Sequence, residues 1–416
     1  MKRDIVAEMG NDMPIGAEFF TANRQKLIDA LPSSLIVLAG NREMQASGDA
    51  AYAFRQESNF WWLTGLSAPD WWLIIDSAKK KAYLVAPPRD ETREVFDGQL
   101  TPDDIIKTTG VDAVLSDSEG DERLRQLIKS HPLAYSLGPD PHDAYYHFVK
   151  NPAQKDLWKK VRGVCSQVQD CRRHIARLRA IKSPAEIVAI KRAIKQTAAV
   201  FTDVHDRLAE FKYEYEIEAE FTYQFRRSGA DGHAYDPIVA AGGNACTLHY
   251  STNSSRIRKK DMILLDIGAR INGYAADITR TYAMSEPTKR QAAVHMAVQQ
   301  AHQEIISLLV PGLPTDRYLA QVDEVMKHTL HSLGLLKNMD DQEMYRRYFP
   351  HAISHGLGVD VHDSLGGYHE LQPGMILTVE PGIYIPEENI GVRIEDNILI
   401  TDDGQLNLSA ALSTDY

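Results

Sequence analysis

Cysteine and long apolar segments are both scarce in this sequence. Its 416 residues include only three cysteines, Cys165, Cys171 and Cys246, whose spacing fits neither a disulfide framework nor a thiolate zinc site. No run approaches the roughly 20 apolar residues that a membrane-spanning helix needs, and the opening MKRDIVAEMGNDMP lacks the apolar core of a secretory signal. We therefore expect a cytoplasmic protein that has no membrane partner.

Positive charge is also in deficit. The sequence contains 46 Lys and Arg against 57 Asp and Glu, a formal net charge of −11, which makes nucleic acid an unfavourable partner. A hydrophobic content of 44% and a charged content of 25% are ordinary for a soluble globular protein. A chain of this length predicts two domains.

The first part of the chain alternates short apolar strands with helical patterns, which predicts an α/β domain. A long helix is expected to run from Asn151 towards Ile181. The sequence SPAE at 183–186 combines a capping box with proline at the first helical position, so a new helix begins there. The boundary near 172–182 gives an N-terminal domain at 1–175 and an α+β C-terminal domain at 176–416.

Two aspartates lie in the stretch DMILLDIGARINGYAADITRTY, residues 261–282. The pattern predicts two apolar strands joined by a four-residue loop at 270–273, because Asn and Gly tolerate positive φ. Asp266 and Asp277 would then face each other, with Cβ atoms roughly 4.5–5.5 Å apart. Two buried carboxylates that close repel each other, which favours a metal cation or a shared proton; a pair of surface acids is the alternative.

Four histidines, His351, His355, His362 and His369, fall within the glycine-rich stretch PHAISHGLGVDVHDSLGGYHE. Histidine is the commonest transition-metal ligand and titrates near neutrality. So many in one loop indicate a functional site, in which one or two are expected to be bystanders.

Two glutamates interrupt apolar strands, Glu380 in ILTVEPGIYI and Glu395 in GVRIEDNILI. Glutamate is almost never fully buried unless it is paired. Taken singly, Glu395 fits an ion pair with Arg393 on the same strand face, and Glu380 fits an edge-strand acid facing water. Taken together, four carboxylates and a histidine suit Mn²⁺, Co²⁺ or Fe²⁺. Four acids can hold two such ions, which is hydrolase chemistry.

Five candidate ligands follow one another along the chain in the order Asp266, Asp277, His355, Glu380 and Glu395. This set and its order resemble the metal ligands of the pita-bread metallopeptidases, which include methionine aminopeptidase, aminopeptidase P and prolidase. LLDIGARINGYAADITRTY resembles the family's first-acid hairpin, SHGLGVDVHD its histidine loop, and LTVEPGIYI and GVRIEDN its glutamate strands. FRQESNFWWLTG resembles the accessory domain of aminopeptidase P and many prolidases. The resemblance to aminopeptidase P is close, covers nearly the whole chain, and implies a pita-bread catalytic domain after an α/β domain.

The resemblance also implies a role for each ligand. Asp266 would hold one metal, whereas Asp277 and Glu395 would bridge two. His355 and Glu380 would complete the coordination of one ion, and Glu380 would act as general base.

Further residues match the family's non-ligand positions. His249 and His362 match histidines that contact the substrate and stabilise the tetrahedral intermediate. His351 matches an active-site histidine near the proline pocket, and Arg393 and Tyr384 match a network that supports the metals.

The implied activity is that of an Xaa-Pro aminopeptidase, which releases the residue before a proline in second position. The implied cofactor is two divalent ions, Mn²⁺ first, with Co²⁺, Fe²⁺ or Zn²⁺ as alternatives. A prolidase restricted to Xaa-Pro dipeptides is the alternative enzyme, and the intact ligand set opposes a non-peptidase member of the fold. The family implies a homodimer or homotetramer. Gly356 and Ala352 depart from its pattern, which leaves the shape of the proline site open.

Overall fold

The computed structural model describes residues 15–98, 100–131, 133–138 and 148–416. Within these ranges the chain forms two compact units, divided in sequence between Leu178 and Arg179. None of the described helices has both the length and the apolar character that crossing a membrane requires.

The N-terminal unit contains a six-stranded sheet and its covering helices. Its strands are β1 (Leu35–Ala39), β2 (Gln45–Ser47), β3 (Ala50–Ala51), β4 (Trp72–Asp76), β5 (Lys81–Val85), β6 (Ala113–Leu115), β7 (Leu133–Ser136) and β8 (Gln167–Asp170). Its helices are α1 (Ala17–Ala30), α2 (Ser58–Thr64), α3 (Glu91–Asp97), α4 (Pro102–Thr109), α5 (Asp117–Ile128) and α6 (Ala153–Val164). The division in sequence falls within the last turn of α7 (Arg172–Ala180).

The order of this sheet is β6-β5-β4-β1-β7-β8. Strand β4 is antiparallel to both of its neighbours, and the remaining pairs are parallel. Strands β1 and β4 are buried along their whole length, as expected for central strands covered on both faces. The predicted α/β character is confirmed.

The predicted long helix from Asn151 towards Ile181 is wrong. Helix α6 ends at Val164, strand β8 joins the sheet edge beside β7, and α7 begins only at Arg172. Cys165 ends α6 in an extended conformation (φ −117°, ψ 131°). The polar–apolar pattern on both sides of the break is helical, so periodicity alone did not reveal a short edge strand between the two helices.

The C-terminal unit repeats one order of elements, in which helices precede antiparallel strands. Its helices are α8 (Pro184–Asp206), α9 (Glu214–Arg227), α10 (Lys289–Leu308), α11 (Thr315–Ser332) and α12 (Gln342–Tyr348). Its strands are β9 (Gly232–His233), β10 (Ile238–Ala241), β11 (Met262–Asp266), β12 (Ala269–Ile271), β13 (Tyr274–Ala275), β14 (Thr279–Ala283), β15 (Ile376–Val379), β16 (Gly382–Ile385), β17 (Ile390–Arg393), β18 (Asp396–Ile400) and β19 (Gln405–Asn407).

The strands form antiparallel sheets in the orders β10-β11-β14, β13-β12-β9, β15-β18-β19 and β16-β17. Helix α8 begins at the predicted capping box, where the Ser183 amide donates to Oε2 of Glu186 at 2.8 Å. The same glutamate accepts a hydrogen bond from the Tyr274 hydroxyl at 3.0 Å, which ties the helix start to the hairpin strand β13. Apolar residues of α10 and α11 pack with those of β15 to β18 to form a hydrophobic core of this unit.

Candidate metal centre

Asp266 and Asp277 lie on a hairpin that is interrupted between them. Asp266 ends β11 and pairs with Thr279, so Asp277 is not its partner across the ladder. The predicted four-residue loop is also wrong, because the turn contains only Asn272 and Gly273, at φ 50° and 77°. A two-residue turn with positive φ at both positions matches strand twist best. The ladder of β12 and β13 therefore continues up to the pair Ile271 and Tyr274, and Asp277 lies outside this ladder.

A tyrosine outside the hairpin brings the two acids together. The Tyr235 hydroxyl lies 2.6 Å from Oδ1 of Asp266 and 2.6 Å from Oδ1 of Asp277. The ladder breaks at Gly268, where a Cβ would lie 1.8 Å from the Ala276 carbonyl oxygen, so that only glycine fits. Sequence reasoning missed Tyr235, since its surroundings, GHAYDPI, carry no motif.

The two glutamates lie where strands end. Glu380 follows β15, and Glu395 separates β17 from β18. The Glu395 amide donates to the Thr279 carbonyl oxygen at 3.0 Å, and the Thr279 hydroxyl donates to Oε2 of Glu395 at 2.7 Å. The side chains of Glu380 and Glu395 are 16% and 2% exposed, so neither faces open water.

His355 lies among these acids. Its Nε2 is 3.5 Å from Asp277, 3.6 Å from Glu380 and 4.0 Å from Glu395. Its Nδ1 lies 3.0 Å from the Gly356 carbonyl oxygen. A ring that donates from Nδ1 to a backbone carbonyl leaves Nε2 as the free ligand atom, which is the usual arrangement of a metal-binding histidine.

All five predicted ligands converge. Among the described residues, three overlapping groups place their ligand atoms within 4.8 Å of one another: Asp277, His355 and His362; His355, Glu380 and Glu395; and Asp266, Asp277 and Glu395. His362, which the resemblance made a non-ligand, therefore also lies within reach of an ion.

The charges of the cluster are not balanced by its own residues. Burial raises the pKa of Glu395 well above its ordinary value, and Asp277 and Glu380 raise it further. Burial likewise raises the pKa of Asp266, against the opposing effect of Arg393. Burial lowers the pKa of His355, but Asp277 and Glu380 outweigh it and raise that pKa to about 9. Bound cations stabilise the charged form of clustered carboxylates whose pKa values are raised by burial and by mutual repulsion.

Arg393 and Tyr384 form a chain of hydrogen bonds behind the acids. The Arg393 guanidinium donates to Oδ2 of Asp266, to the Tyr384 hydroxyl at 2.8 Å and to the Thr279 hydroxyl at 3.2 Å. Arg393 therefore pairs with Asp266, not in a simple ion pair with Glu395. The Tyr384 hydroxyl lies 2.8 Å from Nε2 of His351, which links this histidine to the acids.

The remaining histidines differ in their positions. The rings of His355 and His362 meet edge to face with centroids 4.4 Å apart. Burial lowers the pKa of His362, and the nearby His355 and, less strongly, His249 lower it further. His369 belongs to none of the groups of clustered ligand atoms among the described residues, and its carbonyl oxygen accepts from the Thr315 amide at the start of α11, as expected for a bystander.

Comparisons with known proteins give the family. The model of metallopeptidase family M24 matches residues 188–402, and that of the aminopeptidase P N-terminal domain matches residues 20–135. This chain belongs to metallopeptidase family M24.

The similarity to known proteins extends over nearly the whole length of this chain. An Escherichia coli Xaa-Pro aminopeptidase is 34% identical over 96% of each chain. Human Xaa-Pro aminopeptidase 3 is 34% identical over 90% of this chain and 78% of its own. The solved structure of E. coli aminopeptidase P with the inhibitor Pro-Leu superposes with a TM-score of 0.83 at 32% identity and 96% coverage of both. The chain is thus a metallopeptidase with an aminopeptidase P N-terminal domain and a pita-bread catalytic domain.

The donor set of this M24 enzyme fits divalent metal. It consists of four buried or half-buried carboxylates and one imidazole with a free Nε2, and it contains no thiolate. Oxygen-rich sites with one imidazole suit Mn²⁺, Co²⁺ and Fe²⁺, whereas closed structural zinc sites favour thiolate and histidine.

Proposed function

We propose that this M24 enzyme is an Xaa-Pro aminopeptidase, which uses two Mn²⁺ ions to release the N-terminal residue from peptides with proline in second position. One observation carries the proposal. The convergent cluster of four carboxylates and a histidine occurs in a chain that resembles Xaa-Pro aminopeptidases across both of its domains.

Five side chains would hold the ions. Asp266 would bind one ion, Asp277 and Glu395 would bridge the two, and His355 and Glu380 would complete the coordination of the second. Ions held there would supply polarisation of the scissile carbonyl and activation of water for attack.

Glu380 is the proposed proton carrier. Its side chain is the most exposed of the carboxylates that contact His355, and its Oε2 lies 3.6 Å from Nδ1 of His351. It would accept a proton from the attacking water and return it to the proline nitrogen as the carbon–nitrogen bond breaks. General acid–base transfer of this kind contributes roughly 10²–10⁴-fold to a rate.

Two histidines and the arginine network would serve the substrate. His249 and His362, whose side chains are both exposed, would contact the substrate and stabilise charge on the carbonyl oxygen. His351, tied to Arg393 through Tyr384, would border the proline ring. A proline nitrogen lacks the N–H that ordinary peptidases grip, and a site that polarises the carbonyl does not need it.

The proposal extends to the setting of the enzyme. The sequence has only three cysteines, of which Cys165 and Cys171 are buried, and this scarcity accords with a reducing cytoplasm. The family resemblance supports a homodimer or homotetramer.

The test is a paired rate assay on the Mn²⁺-loaded protein, with an Xaa-Pro dipeptide and an Xaa-Pro-Xaa tripeptide, and with Xaa-Ala-Xaa as the specificity control. We expect the tripeptide to be cleaved at least as fast as the dipeptide and the alanine peptide to be spared. Cleavage of the dipeptide alone would make the enzyme a prolidase. No cleavage of any peptide by metal-loaded protein would contradict the proposal.

A further inference from the structure

His249 lies in a segment that has little regular structure of its own. After β10, residues Gly242–Cys246 form a single 3₁₀ turn, and no strand or helix is present from Thr247 to the start of β11. The side chain of His249 is exposed. A histidine that must meet a substrate at a fixed distance therefore needs its loop to be held by contacts from elsewhere.

One buried carboxylate outside the metal cluster supplies such contacts. Glu214, the first residue of α9, is fully buried. Its Oε1 accepts hydrogen bonds from the Ala241 amide and from Nδ2 of Asn244, both at 2.8 Å. Its Oε2 accepts from the Ser255 amide at 2.7 Å and from the Tyr250 hydroxyl at 2.8 Å.

The four residues that donate to Glu214 lie on both sides of His249 in the sequence. Two of them precede His249 and two follow it, and Tyr250 is its immediate neighbour. Four hydrogen bonds satisfy both oxygens of a buried carboxylate, which makes the arrangement rigid. The carboxylate of Glu214 thus holds residues 241–255 against the N-terminus of α9.

A second contact holds the same loop on the same helix. Asn253 is buried and adopts φ 46°. Its Nδ2 donates to Oε2 of Glu218 at 2.9 Å and to the Pro237 carbonyl oxygen at 2.8 Å, while its Oδ1 accepts from the Val239 amide at 2.9 Å. The first two turns of α9 therefore determine where the loop lies.

We propose that Glu214 is a positioning residue for His249 and acts through the hydroxyl of Tyr250. The inference rests on the proposed function for the role of His249 towards the substrate. Neither Glu214 nor Tyr250 belongs to the metal cluster, so the proposal separates the positioning of this histidine from the binding of the ions.

The test compares Tyr250→Phe, His249→Ala and their double variant with wild type on an Xaa-Pro-Xaa tripeptide. Tyr250→Phe removes one hydroxyl and keeps the buried ring. It should lower kcat by about 10-fold, change KM little and leave bound Mn²⁺ unchanged. In the double variant it should cause no loss beyond that of His249→Ala, because the histidine it positions is gone. Tyr345→Phe, which removes a tyrosine–carboxylate bond to Asp323 at 2.6 Å, is the matched control and should retain full activity.

A second readout does not depend on peptidase activity. Hydrogen exchange followed by mass spectrometry on metal-free protein should show faster exchange in residues 241–255 for Tyr250→Phe and for Glu214→Gln, with other segments unchanged. Full kcat in Tyr250→Phe, or an additive loss in the double variant, would overturn the proposal. An inactive wild type would refute the proposed function instead; unchanged exchange in the loop would then refute the positioning role separately.

Discussion

The acidic side and the histidine side of the metal centre are built differently. Asp266 and Glu395 lie at strand ends, and their carboxylates accept hydrogen bonds from Tyr235, Arg393 and Thr279. The histidines lie on loops, and the side chain of His355 is 20% exposed, whereas that of Glu395 is 2% exposed. We propose a division of work from this difference: the buried acids, together with His355, hold the ions, and the more accessible His249 and His362 meet the substrate.

The largest effect should follow from breaking the acidic side. Asp277→Asn removes a charge from the proposed bridge and should abolish tight Mn²⁺ binding. Loss of a ligand's hydrogen-bond partner alone typically costs about 10–100-fold in metal affinity or activity, so loss of a ligand should exceed about 100-fold. Metal analysis by mass spectrometry and kcat/KM on a tripeptide measure both quantities.

The control for this variant is Asp316→Asn, an exposed acid in the first turn of α11. It should match wild type in both metal content and rate. Retention of two ions by Asp277→Asn would contradict the bridging role.

The division between the two sides is sharpened by a pair of histidine variants. His355→Ala should lose metal, because its Nε2 lies among three carboxylates. His362→Ala should keep metal and lose about 100-fold in kcat, as expected when a group that stabilises developing charge is removed. If His362→Ala also lost its metal, the group formed by Asp277, His355 and His362 would be a ligand set and the division would fail.

A smaller effect is expected from Arg393→Lys. Lysine keeps the positive charge, but a single ammonium cannot replace a planar fork that reaches Asp266, Tyr384 and Thr279 at once. Activity or metal affinity should fall by about 10–100-fold. Arg290→Lys, in an exposed pair with Glu388, should change neither. Equal behaviour of the two variants would mean that Arg393 supplies only charge.

The smallest effect concerns a histidine that a helix holds away from the site. His295 lies in α10 and is 1% exposed. Burial lowers its pKa to about 4, so the unfolded chain, with an ordinary histidine pKa near 6.5, binds a proton that the folded chain does not. Stability should be unaffected above about pH 6.5 and should fall as the pH drops towards 4, by up to about 3 kcal/mol.

Denaturant unfolding between pH 7 and pH 4 measures this dependence. His295→Leu should weaken it, because only the buried His302 of the same helix, whose pKa burial also lowers to about 4, then remains in α10 to contribute. His328→Leu on the exposed face of α11 should leave it unchanged. Catalytic rates at pH 7 should be equal in both variants. A loss of activity in His295→Leu would show that position in a loop is not what makes a histidine functional here.

The site could be predicted from the sequence only where it depends on residue type. Acids that interrupt apolar strands indicate a cluster, since a buried carboxylate needs a partner, and this reasoning identified Glu380 and Glu395. Local turn chemistry also located the hairpin turn at Asn272 and Gly273. The pairing register was wrong, because the break at Gly268 depends on a backbone contact with Ala276 that spacing does not show.

Contacts between residues far apart in the sequence could not be predicted from the local sequence pattern. Tyr235 reaches both aspartates from 31 and 42 residues away, and Glu214 receives donors up to 41 residues away. Both side chains lie in unremarkable sequence, and only the packing of the strands gives them their partners. Strand β8 was hidden for a related reason, since its edge pairing with β7 overrides the helical pattern around it.

Anomalous X-ray diffraction from crystals of the Mn²⁺-loaded enzyme would locate the bound ions. We expect two manganese peaks per chain inside the cluster, with Asp277 and Glu395 touching both ions and Nε2 of His355 touching one. A single peak, or metal bound away from these side chains, would contradict this expectation.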